Sequence, residues 1–233
     1  MSGDLYGIGL GPGDPELMTL KAARLIGAAQ AVAYPALPGV DSFARQIAAA
    51  HLPDGVKEIR LDVPMTRERE PAQAAYDRGA GALAELLAKG TDVLFLCEGD
   101  PLFYGSFMYV AARLSDRFGI QVVPGVSSVQ AATSVLRRPL VARNDVLTVL
   151  PGPLEDAALE ARIAGGEAVA ILKVGRHMPR LRALIARLGL LDHAWYVARA
   201  TLADQQAMPL VDAPEEAPYF SMILVIKGDD PWL

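Results

Sequence analysis

The sequence contains one cysteine, Cys97, and three histidines at scattered positions, His51, His177 and His193. One cysteine cannot form a disulfide framework or a Cys-based zinc cluster, and the three isolated histidines form no HExxH pair. No apolar run reaches the roughly 18 to 20 residues that a membrane-spanning helix needs. The residues after Met1 also lack the basic start and the apolar stretch of a secretory signal. We therefore expect a cytoplasmic protein with no metal centre and no membrane segment.

Basic residues are also fewer than acidic residues. The 233 residues include 27 acidic and 22 basic side chains, which gives a formal net charge of −5. This balance disfavours broad binding to nucleic acid or to anionic membranes, although a local basic patch is compatible with it. Of the basic residues, 17 are Arg and 5 are Lys. A GC-rich genome explains this excess, and so does a ligand with several carboxylates, which the guanidinium fork binds bidentately.

The chain does contain a large apolar fraction, 52% of its residues, and a regular alternation of predicted strands and helices. Short apolar runs predict buried strands, and apolar residues at helical spacing predict helices. The predicted strands cover 5–10, 31–34, 57–61, 91–97, 121–123, 146–150, 167–174, 194–200 and 221–227. The predicted helices cover 17–26, 42–51, 73–89, 106–118, 127–136, 154–163 and 180–188. A turn around 214–218 favours antiparallel pairing of the last two strands.

The pattern changes between the two halves of the chain. Strands and helices alternate strictly in the first half, which is typical of a parallel sheet, whereas the second half has a mixed pattern. We therefore expect an α/β fold with two α/β domains, residues 1–120 with a parallel sheet and residues 121–233 with a mixed sheet. An active-site cleft between the two domains is the expected architecture.

The segment Gly7–Asp14 follows the first predicted strand and precedes a helix, which is the position of a dinucleotide-binding turn. Its spacing does not fit GxGxxG, because the count from the first glycine meets Pro12 and the count from Gly9 meets Asp14. No Gly-Lys-Ser/Thr follows, so it is not a P-loop either. Four glycines in seven residues still allow backbone or ligand to approach closely. Asp14 is a suitable N-cap with Pro15 at the first helical position.

Two further glycine-bearing turns, Glu98–Gly105 and Val123–Ser128, also follow predicted strands. A carboxylate beside a glycine at such a strand end suits the paired hydroxyls of a ribose. Each turn alone is equally consistent with an ordinary capped start of a helix. The carboxyl ends of parallel strands, however, share one edge of the sheet, where ligands bind in open α/β folds. We therefore expect the three turns to converge on one site.

In their order and spacing, Gly9–Asp14, the following Leu17–Ala22, Glu98–Gly105 and Val123–Ser128 resemble the tetrapyrrole (corrin/porphyrin) methylases. The resemblance extends over essentially the whole chain. These enzymes depend on S-adenosylmethionine and have two α/β domains of tetrapyrrole-methylase type with a cleft between them. The resemblance therefore implies this fold, this cofactor and a homodimer.

Weaker signatures point to one substrate within the family. They lie at 64–67, 139–142, 174–177, 198–201 and 218–221. They are most similar to the members that methylate precorrin-2 at C20 in cobalamin biosynthesis. The cobalt-containing substrate of the anaerobic pathway, uroporphyrinogen III and other precorrin positions stay open as alternatives. A non-catalytic tetrapyrrole-binding module is the alternative from a different class of protein.

The resemblance also implies which residues form the site. The expected cofactor contacts are Gly99, Asp100, Phe103, Tyr104, Ser127, Ser128, Val174, Tyr196 and Ser221. The expected substrate contacts are Gly11, Pro12, Gly13, Asp14, Arg67, Arg143 and Arg176, since the substrate is an octacarboxylate. The electron-rich macrocycle supplies the nucleophilic carbon, so no protein nucleophile or metal is required. A base could remove the proton that leaves after transfer, and Tyr104, His177 and Asp14 are the candidates.

Overall fold

The first half of the chain builds a five-stranded parallel sheet. A computed structural model describes residues 2–66 and 68–228 and divides the chain into two units, Met1–Ser128 and Val129–Leu233. In the first unit the strands are β1 Leu5–Gly9, β2 Ala31–Ala36, β3 Lys57–Asp62, β4 Val93–Cys97 and β5 Ile120–Val123. Their order is β3-β2-β4-β1-β5, and every neighbouring pair is parallel.

The central strand β4 shows why this sheet is buried on both faces. Successive side chains of a strand point to opposite faces, and all five residues of β4 are buried. Val93, Phe95 and Cys97 pack into one core with helices α3 Glu70–Ala88 and α4 Phe107–Leu114. Leu94 and Leu96 pack into a second core with α1 Leu20–Gly27 and α2 Phe43–Ala48. The first unit therefore consists of one sheet between two helical layers.

The start of α1 differs from the sequence prediction. The helical spacing predicts one helix from Leu17, but a short 3₁₀ helix, Pro15–Leu17, ends there and α1 begins only at Leu20. Thr19 is the N-cap of α1, since its Oγ1 accepts a hydrogen bond from the Ala22 amide at 3.2 Å. A β-region N-cap residue interrupts the helical backbone, which separates the two helices.

Strand β2 is two residues longer than the predicted range 31–34. Pro35 lies inside the strand, which continues to Ala36. β2 pairs with β3 over its whole length but with β4 only as far as Ala33. Over its last three residues β2 therefore has a neighbour on one side only, and a proline without an N–H is tolerated there.

The second unit contains a five-stranded mixed sheet. Its elements are α5 Ser128–Leu136, β6 Leu147–Pro151, α6 Asp156–Gly165, β7 Ala168–Leu172, α7 Met178–Arg187, β8 Ala194–Ala198, β9 Gln206–Pro209 and β10 Ser221–Ile226. The order is β6-β7-β10-β8-β9, with β6 and β7 parallel and all other pairs antiparallel. The predicted antiparallel pairing of β8 with β10 is confirmed. Helices α6 and α7 cover one face of this sheet and α5 covers the other.

The structure places β5 in the first sheet, where it pairs with β1. The expected boundary after residue 120 would separate these two strands, and the contacts instead divide the chain after Ser128. The short strand β9 was not predicted, because Gln206–Pro209 has neither an apolar run nor a clear alternation. Within residues 2–66 and 68–228, no helix has both the length and the apolar character to cross a membrane.

Candidate functional site

The carboxyl ends of β4, β1 and β5 lie side by side, because these three strands are neighbours in the first sheet. The turns that follow β1 and β4 are joined by two reciprocal hydrogen bonds. The Gly99 amide donates to the Gly11 carbonyl at 2.7 Å, and the Gly11 amide donates to the Gly99 carbonyl at 3.2 Å. Two of the three glycine-bearing turns are thus held together by backbone alone.

Three glycines pack directly against one another at this edge. A Cβ on Gly125 would lie 2.1 Å from the Gly99 carbonyl oxygen and 2.9 Å from the Cα of Gly9. A Cβ on Gly9 would lie 2.5 Å from the Gly125 nitrogen. Real Cβ atoms essentially never approach closer than 3.0 Å, so only glycine fits at positions 9 and 125. The turn after β5 therefore joins the other two, as the sequence predicts.

Asp100 holds two of the turns together through its side chain. One carboxylate oxygen accepts from the Leu102 amide at 2.9 Å, and the other accepts from the Gly125 amide at 3.0 Å. A charge-assisted hydrogen bond of this kind is worth more than a neutral one. Each carboxylate oxygen retains a second lone pair, and the side chain is half-buried. Asp100 can therefore accept a hydrogen bond from a ligand hydroxyl while it fixes both turns.

An exposed aromatic pair follows Asp100. The rings of Phe103 and Tyr104 pack edge to face, with centroids 5.2 Å apart. Their exposed fractions are 39% and 45%, which is high for large apolar side chains. Tyr104 has φ of 59°, in the left-handed region that a bulky residue rarely adopts. Backbone in this conformation is typical of functional sites, and nothing in the residue type of Tyr104 reveals it from the sequence.

A second acidic residue at this strand end, Glu98, has a different environment. It directly follows the fully buried β4. Burial raises the pKa of the Glu98 carboxyl, and hydrogen bonds from its own amide and from the Ala44 amide oppose this effect. Sequence reasoning did not single out Glu98, because an acidic residue next to Gly99 and Asp100 gives no sign that it is turned towards α2.

The glycine-rich loop after β1 has the predicted cap. An oxygen of the Asp14 carboxylate accepts from the Glu16 amide at 2.9 Å, and Pro15 occupies the first position of the 3₁₀ helix. Asp14 is therefore confirmed as an N-cap. Gly11 and Gly13 are buried, whereas Pro12 and Asp14 are partly exposed. Only these last two can present side chains to a substrate.

In the second unit, three expected cofactor contacts are buried. Val174 and Tyr196 have no exposed surface and belong to the core that α6 and α7 cover. Ser221 is 6% exposed, and its Oγ donates to the Pro218 carbonyl at 2.6 Å. Burial also raises the pKa of the Tyr196 hydroxyl. The expectation that these side chains line the cofactor needs correction, because they offer almost no surface to a ligand.

The three predicted substrate arginines fall in different places. Arg67 lies outside the residues that the structure describes. Arg176 is exposed in a short 3₁₀ helix after β7, and Arg143 is exposed on a turn before β6. Because β6 and β7 are parallel, the start of β6 and the end of β7 lie at opposite ends of these two strands. Five residues of strand correspond to about 17 Å, so Arg143 and Arg176 do not share one carboxylate subsite.

A groove of about 280 Å³ lies at the same edge as Arg143, lined by residues that include Arg138, Asp145, His193 and Trp195. The Arg138 guanidinium lies 4.3 Å from the centre of the Trp195 ring. This groove contains none of the predicted site residues. Across residues 2–66 and 68–228, no group of three or more His, Cys, Asp or Glu side chains is placed to hold a metal ion.

The comparison with protein families gives one match over most of the chain. The family described as Tetrapyrrole (Corrin/Porphyrin) Methylases matches residues 4–212. This range contains all three glycine-bearing turns and both sheets except β10.

Three curated relatives are similar over nearly the whole chain. The cobalamin biosynthesis protein CobIJ of Mycobacterium bovis is 43% identical over 97% of this chain, which covers 46% of that protein. The chain thus spans about half the length of the first curated relatives that it matches. The precorrin-2 C(20)-methyltransferase of a Sinorhizobium species is 42% identical, over 96% of this chain and 95% of the relative. The cobalt-precorrin-2 C(20)-methyltransferase of Salmonella typhimurium is 29% identical, over 97% and 98%.

A solved structure has the same fold. The uroporphyrin-III C-methyl transferase from Thermus thermophilus, complexed with S-adenyl homocysteine, is 26% identical with a TM-score of 0.67. The match covers 97% of this chain and 92% of that protein. The bound molecule is the form of S-adenosylmethionine that remains after methyl transfer.

Proposed function

The chain belongs to the tetrapyrrole (corrin/porphyrin) methylase family, and we propose that it transfers a methyl group from S-adenosylmethionine to C20 of precorrin-2. The observation that supports this substrate is the 42% identity to a precorrin-2 C(20)-methyltransferase over nearly the full length of both chains. The CobIJ relatives are named for the same biosynthesis, that of cobalamin. A methyltransferase of cobalamin biosynthesis is the function that these relatives support together.

The residues at the edge of the first sheet fit S-adenosylmethionine. Gly99 has φ of 63°, and the nearest atoms to a Cβ on it would be 4.0 Å away, which leaves space beside the strand end. Asp100 has spare acceptor capacity for ribose hydroxyls, and Phe103 and Tyr104 offer exposed rings against which an adenine could pack. S-adenosylmethionine carries no phosphate, which agrees with the absence of a dinucleotide or P-loop motif in Gly7–Asp14.

We assign the cofactor to Gly99, Asp100, Phe103, Tyr104, Ser127 and Ser128. Ser127 and Ser128 are half-buried and follow the turn that Gly125 fixes, so their hydroxyls remain within reach of solvent. When bound, S-adenosylmethionine supplies an electrophilic methyl group carried on a sulfonium. The buried side chains Val174, Tyr196 and Ser221 act here as support for the backbone around them.

The chemistry requires little covalent participation by the protein. The reduced tetrapyrrole supplies the electron pair at its C20 carbon, and after the new carbon–carbon bond forms, one proton leaves that carbon. The task of the protein is to hold the macrocycle in one orientation and to exclude water. Tyr104 is the residue that we propose to relay the departing proton to solvent, passing on its own hydroxyl proton as it takes up the new one, since its exposed side chain lies on the loop beside Asp100.

A cobalt-containing substrate is the second candidate. It is supported by the 29% identity to a cobalt-precorrin-2 C(20)-methyltransferase over 97% of this chain. The metal in that case travels with the substrate, so the two candidates make the same demands on the protein. The higher identity to the enzyme that is named for the metal-free substrate favours precorrin-2.

The direct test is product analysis. Purified protein is incubated with S-adenosylmethionine labelled with carbon-13 in its methyl group and, in parallel, with precorrin-2 or cobalt-precorrin-2. Mass spectrometry counts the methyl groups added, and NMR locates the labelled carbon. One methyl group at C20 is the expected result. A methyl group at another carbon would reject the C20 assignment, and no transfer in the presence of tight S-adenosylmethionine binding would reject both substrates.

A further inference from the structure

One edge of the second sheet, the row of strand ends that includes the ends of β7 and β8, carries cationic side chains on backbone with positive φ. The ends of β7 and β8 and the start of β10 meet at this edge, because β10 is antiparallel to both. Lys173, directly after β7, has φ of 58°, and Arg199, directly after β8, has φ of 48°. L-residues other than Gly, Asn and Asp avoid this left-handed region. Residues in such backbone conformations persist where the surrounding structure holds them, and they cluster at active sites and ligand-binding regions.

An aromatic residue precedes β10, the strand between β7 and β8. In the strand order β10 separates β7 from β8, so the ends of β7 and β8 are two strand spacings apart, about 9.5 Å. Phe220 immediately precedes β10, and its carbonyl accepts from the Arg199 amide at 2.8 Å. The Phe220 ring is 40% exposed and packs edge to face on Tyr219, with centroids 5.0 Å apart. The edge therefore carries an exposed aromatic residue on the middle strand and a cationic residue after each neighbouring strand.

Both cations are accessible to a ligand. Lys173 is exposed. The Arg199 side chain is 38% exposed and forms an ion pair with Asp204, whose side chain is 59% exposed. A solvent-exposed ion pair contributes little to stability, so a ligand carboxylate can replace or join Asp204 at little cost. The backbones at these two positions are about 9.5 Å apart, so each cation can hold its own carboxylate, which favours a ligand with several carboxylates around an apolar ring system.

We propose that Lys173 and Arg199 each bind a peripheral carboxylate of the tetrapyrrole, with Phe220 packed against the macrocycle. This inference rests on the proposed function and names the residues of the second unit that recognise its substrate. Two carboxylate contacts on either side of a ring fix its rotation as well as its affinity. Lys173 and Arg199 are therefore positioning residues for the macrocycle.

The test uses Lys173→Asn and Arg199→Asn in the full chain. Asparagine tolerates the left-handed backbone but carries no charge, so the variants are expected to fold, which circular dichroism checks. The control is Arg187→Gln, because Arg187 is an exposed arginine on α7 with only a long 3.9 Å ion pair to Asp156. Uroporphyrin, a stable octacarboxylate tetrapyrrole, is titrated by fluorescence, and S-adenosylmethionine is titrated by calorimetry.

Each Asn variant should weaken uroporphyrin binding about ten-fold, a difference of about 1.4 kcal/mol, and raise the KM for precorrin-2 by a similar factor. Binding of S-adenosylmethionine should be unchanged, Lys173→Arg should restore uroporphyrin affinity, and Arg187→Gln should behave as the wild type. Weaker S-adenosylmethionine binding with unchanged uroporphyrin binding would assign the cations to the cofactor carboxylate and overturn the proposal. Unchanged binding of both ligands would overturn it as well.

The failure of this proposal and the failure of the proposed function are distinguishable. If the wild type does not methylate precorrin-2 but both Asn variants weaken uroporphyrin binding, the carboxylate site stands and the reaction assignment fails. If the wild type methylates precorrin-2 and neither Asn variant changes its KM, the reaction assignment stands and the carboxylate site is rejected.

Discussion

The contact between Gly9, Gly99 and Gly125 predicts a large effect of a single methyl group. In Gly125→Ala, the new Cβ would lie 2.1 Å from the Gly99 carbonyl oxygen, against the 3.0 Å below which such contacts essentially never occur. The turns must therefore separate by about 0.9 Å, the difference of these two distances. The φ angle of Gly125 is not positive, so alanine is excluded by contact and not by backbone conformation.

The magnitude follows from two losses. Overpacking of a well-packed site costs about 1–3 kcal/mol. Displacement of Gly125 also breaks the hydrogen bond from its amide to Asp100, and a bond to a charged group contributes about 1.5–3 kcal/mol. We expect Gly125→Ala to lower the free energy of unfolding by about 2.5–6 kcal/mol, which at about 2–4 °C per kcal/mol corresponds to a melting temperature roughly 5–24 °C lower. S-adenosylmethionine affinity should fall as well.

A matched control is available in the same unit. Gly81 is exposed in the middle of α3, and no atom lies within 4 Å of a Cβ built on it. Gly81→Ala should therefore stabilise the protein by about 0.5–1 kcal/mol through helix propensity. Thermal unfolding followed by far-UV circular dichroism measures both variants, and calorimetry measures S-adenosylmethionine binding. A Gly125→Ala protein that melts within 2 °C of the wild type would refute the argument from the glycine contact.

Three further substitutions test individual residues of the same edge. Asp100→Ala removes two charge-assisted hydrogen bonds and should lower the free energy of unfolding by about 1.5–3 kcal/mol. It should also weaken S-adenosylmethionine binding, with little change in the KM for the tetrapyrrole. Unchanged S-adenosylmethionine binding would show that Asp100 does not belong to the cofactor site. Tyr104→Phe should lower kcat at least about ten-fold at unchanged cofactor affinity, and a wild-type kcat would exclude the hydroxyl from proton transfer. Burial raises the pKa of the Glu98 carboxyl in the folded protein. The protonated carboxyl therefore contributes fully to stability below the pKa of the unfolded chain, about 4.3, and this contribution is lost as the pH rises through the pKa of the folded protein. Glu98→Gln should therefore melt at a higher temperature than the wild type at pH 7 and at the same temperature near pH 4; equal melting temperatures at both pH values would contradict this.

The convergence of the three turns could be predicted from the sequence because it depends only on strand direction. Each turn follows an apolar run, and a parallel sheet brings the carboxyl ends of its strands to one edge. The glycines at positions 9 and 125 were visible as residue types, but their mutual contact depends on the order β4-β1-β5, which no local pattern specifies.

The burial of Tyr196 could not be predicted, because β8 has no polar residue that marks its outer face. All five residues, from Ala194 to Ala198, are apolar or aromatic, so alternation does not show which side chains point towards α6 and α7. In the structure Tyr196 pairs with Ile223, and both face that core, whereas Val197 faces α5. The choice between the faces comes from packing and not from the strand's own sequence.

The separation of Arg143 from Arg176 depends on the direction of a single strand pair. Arg143 precedes β6 and Arg176 follows β7, so a parallel pairing of these strands places them at opposite edges. The mixed character of the second sheet was predicted, but the direction of each pair was not. The positive φ of Lys173 and Arg199 gives no signal at all, since neither residue type favours it.

The position of Cys97 makes its thiol a natural probe of the opening of the first sheet. This thiol is 1% exposed at the end of β4, and burial raises its pKa, so alkylating reagents react with it only when the first sheet opens. Trp195 at the start of β8 reports the second unit through its fluorescence. The opening of each unit can therefore be timed separately in the unmodified chain. Because Cys97 is the sole cysteine, a cysteine introduced at an exposed position can carry a spectroscopic label without removal of a native thiol.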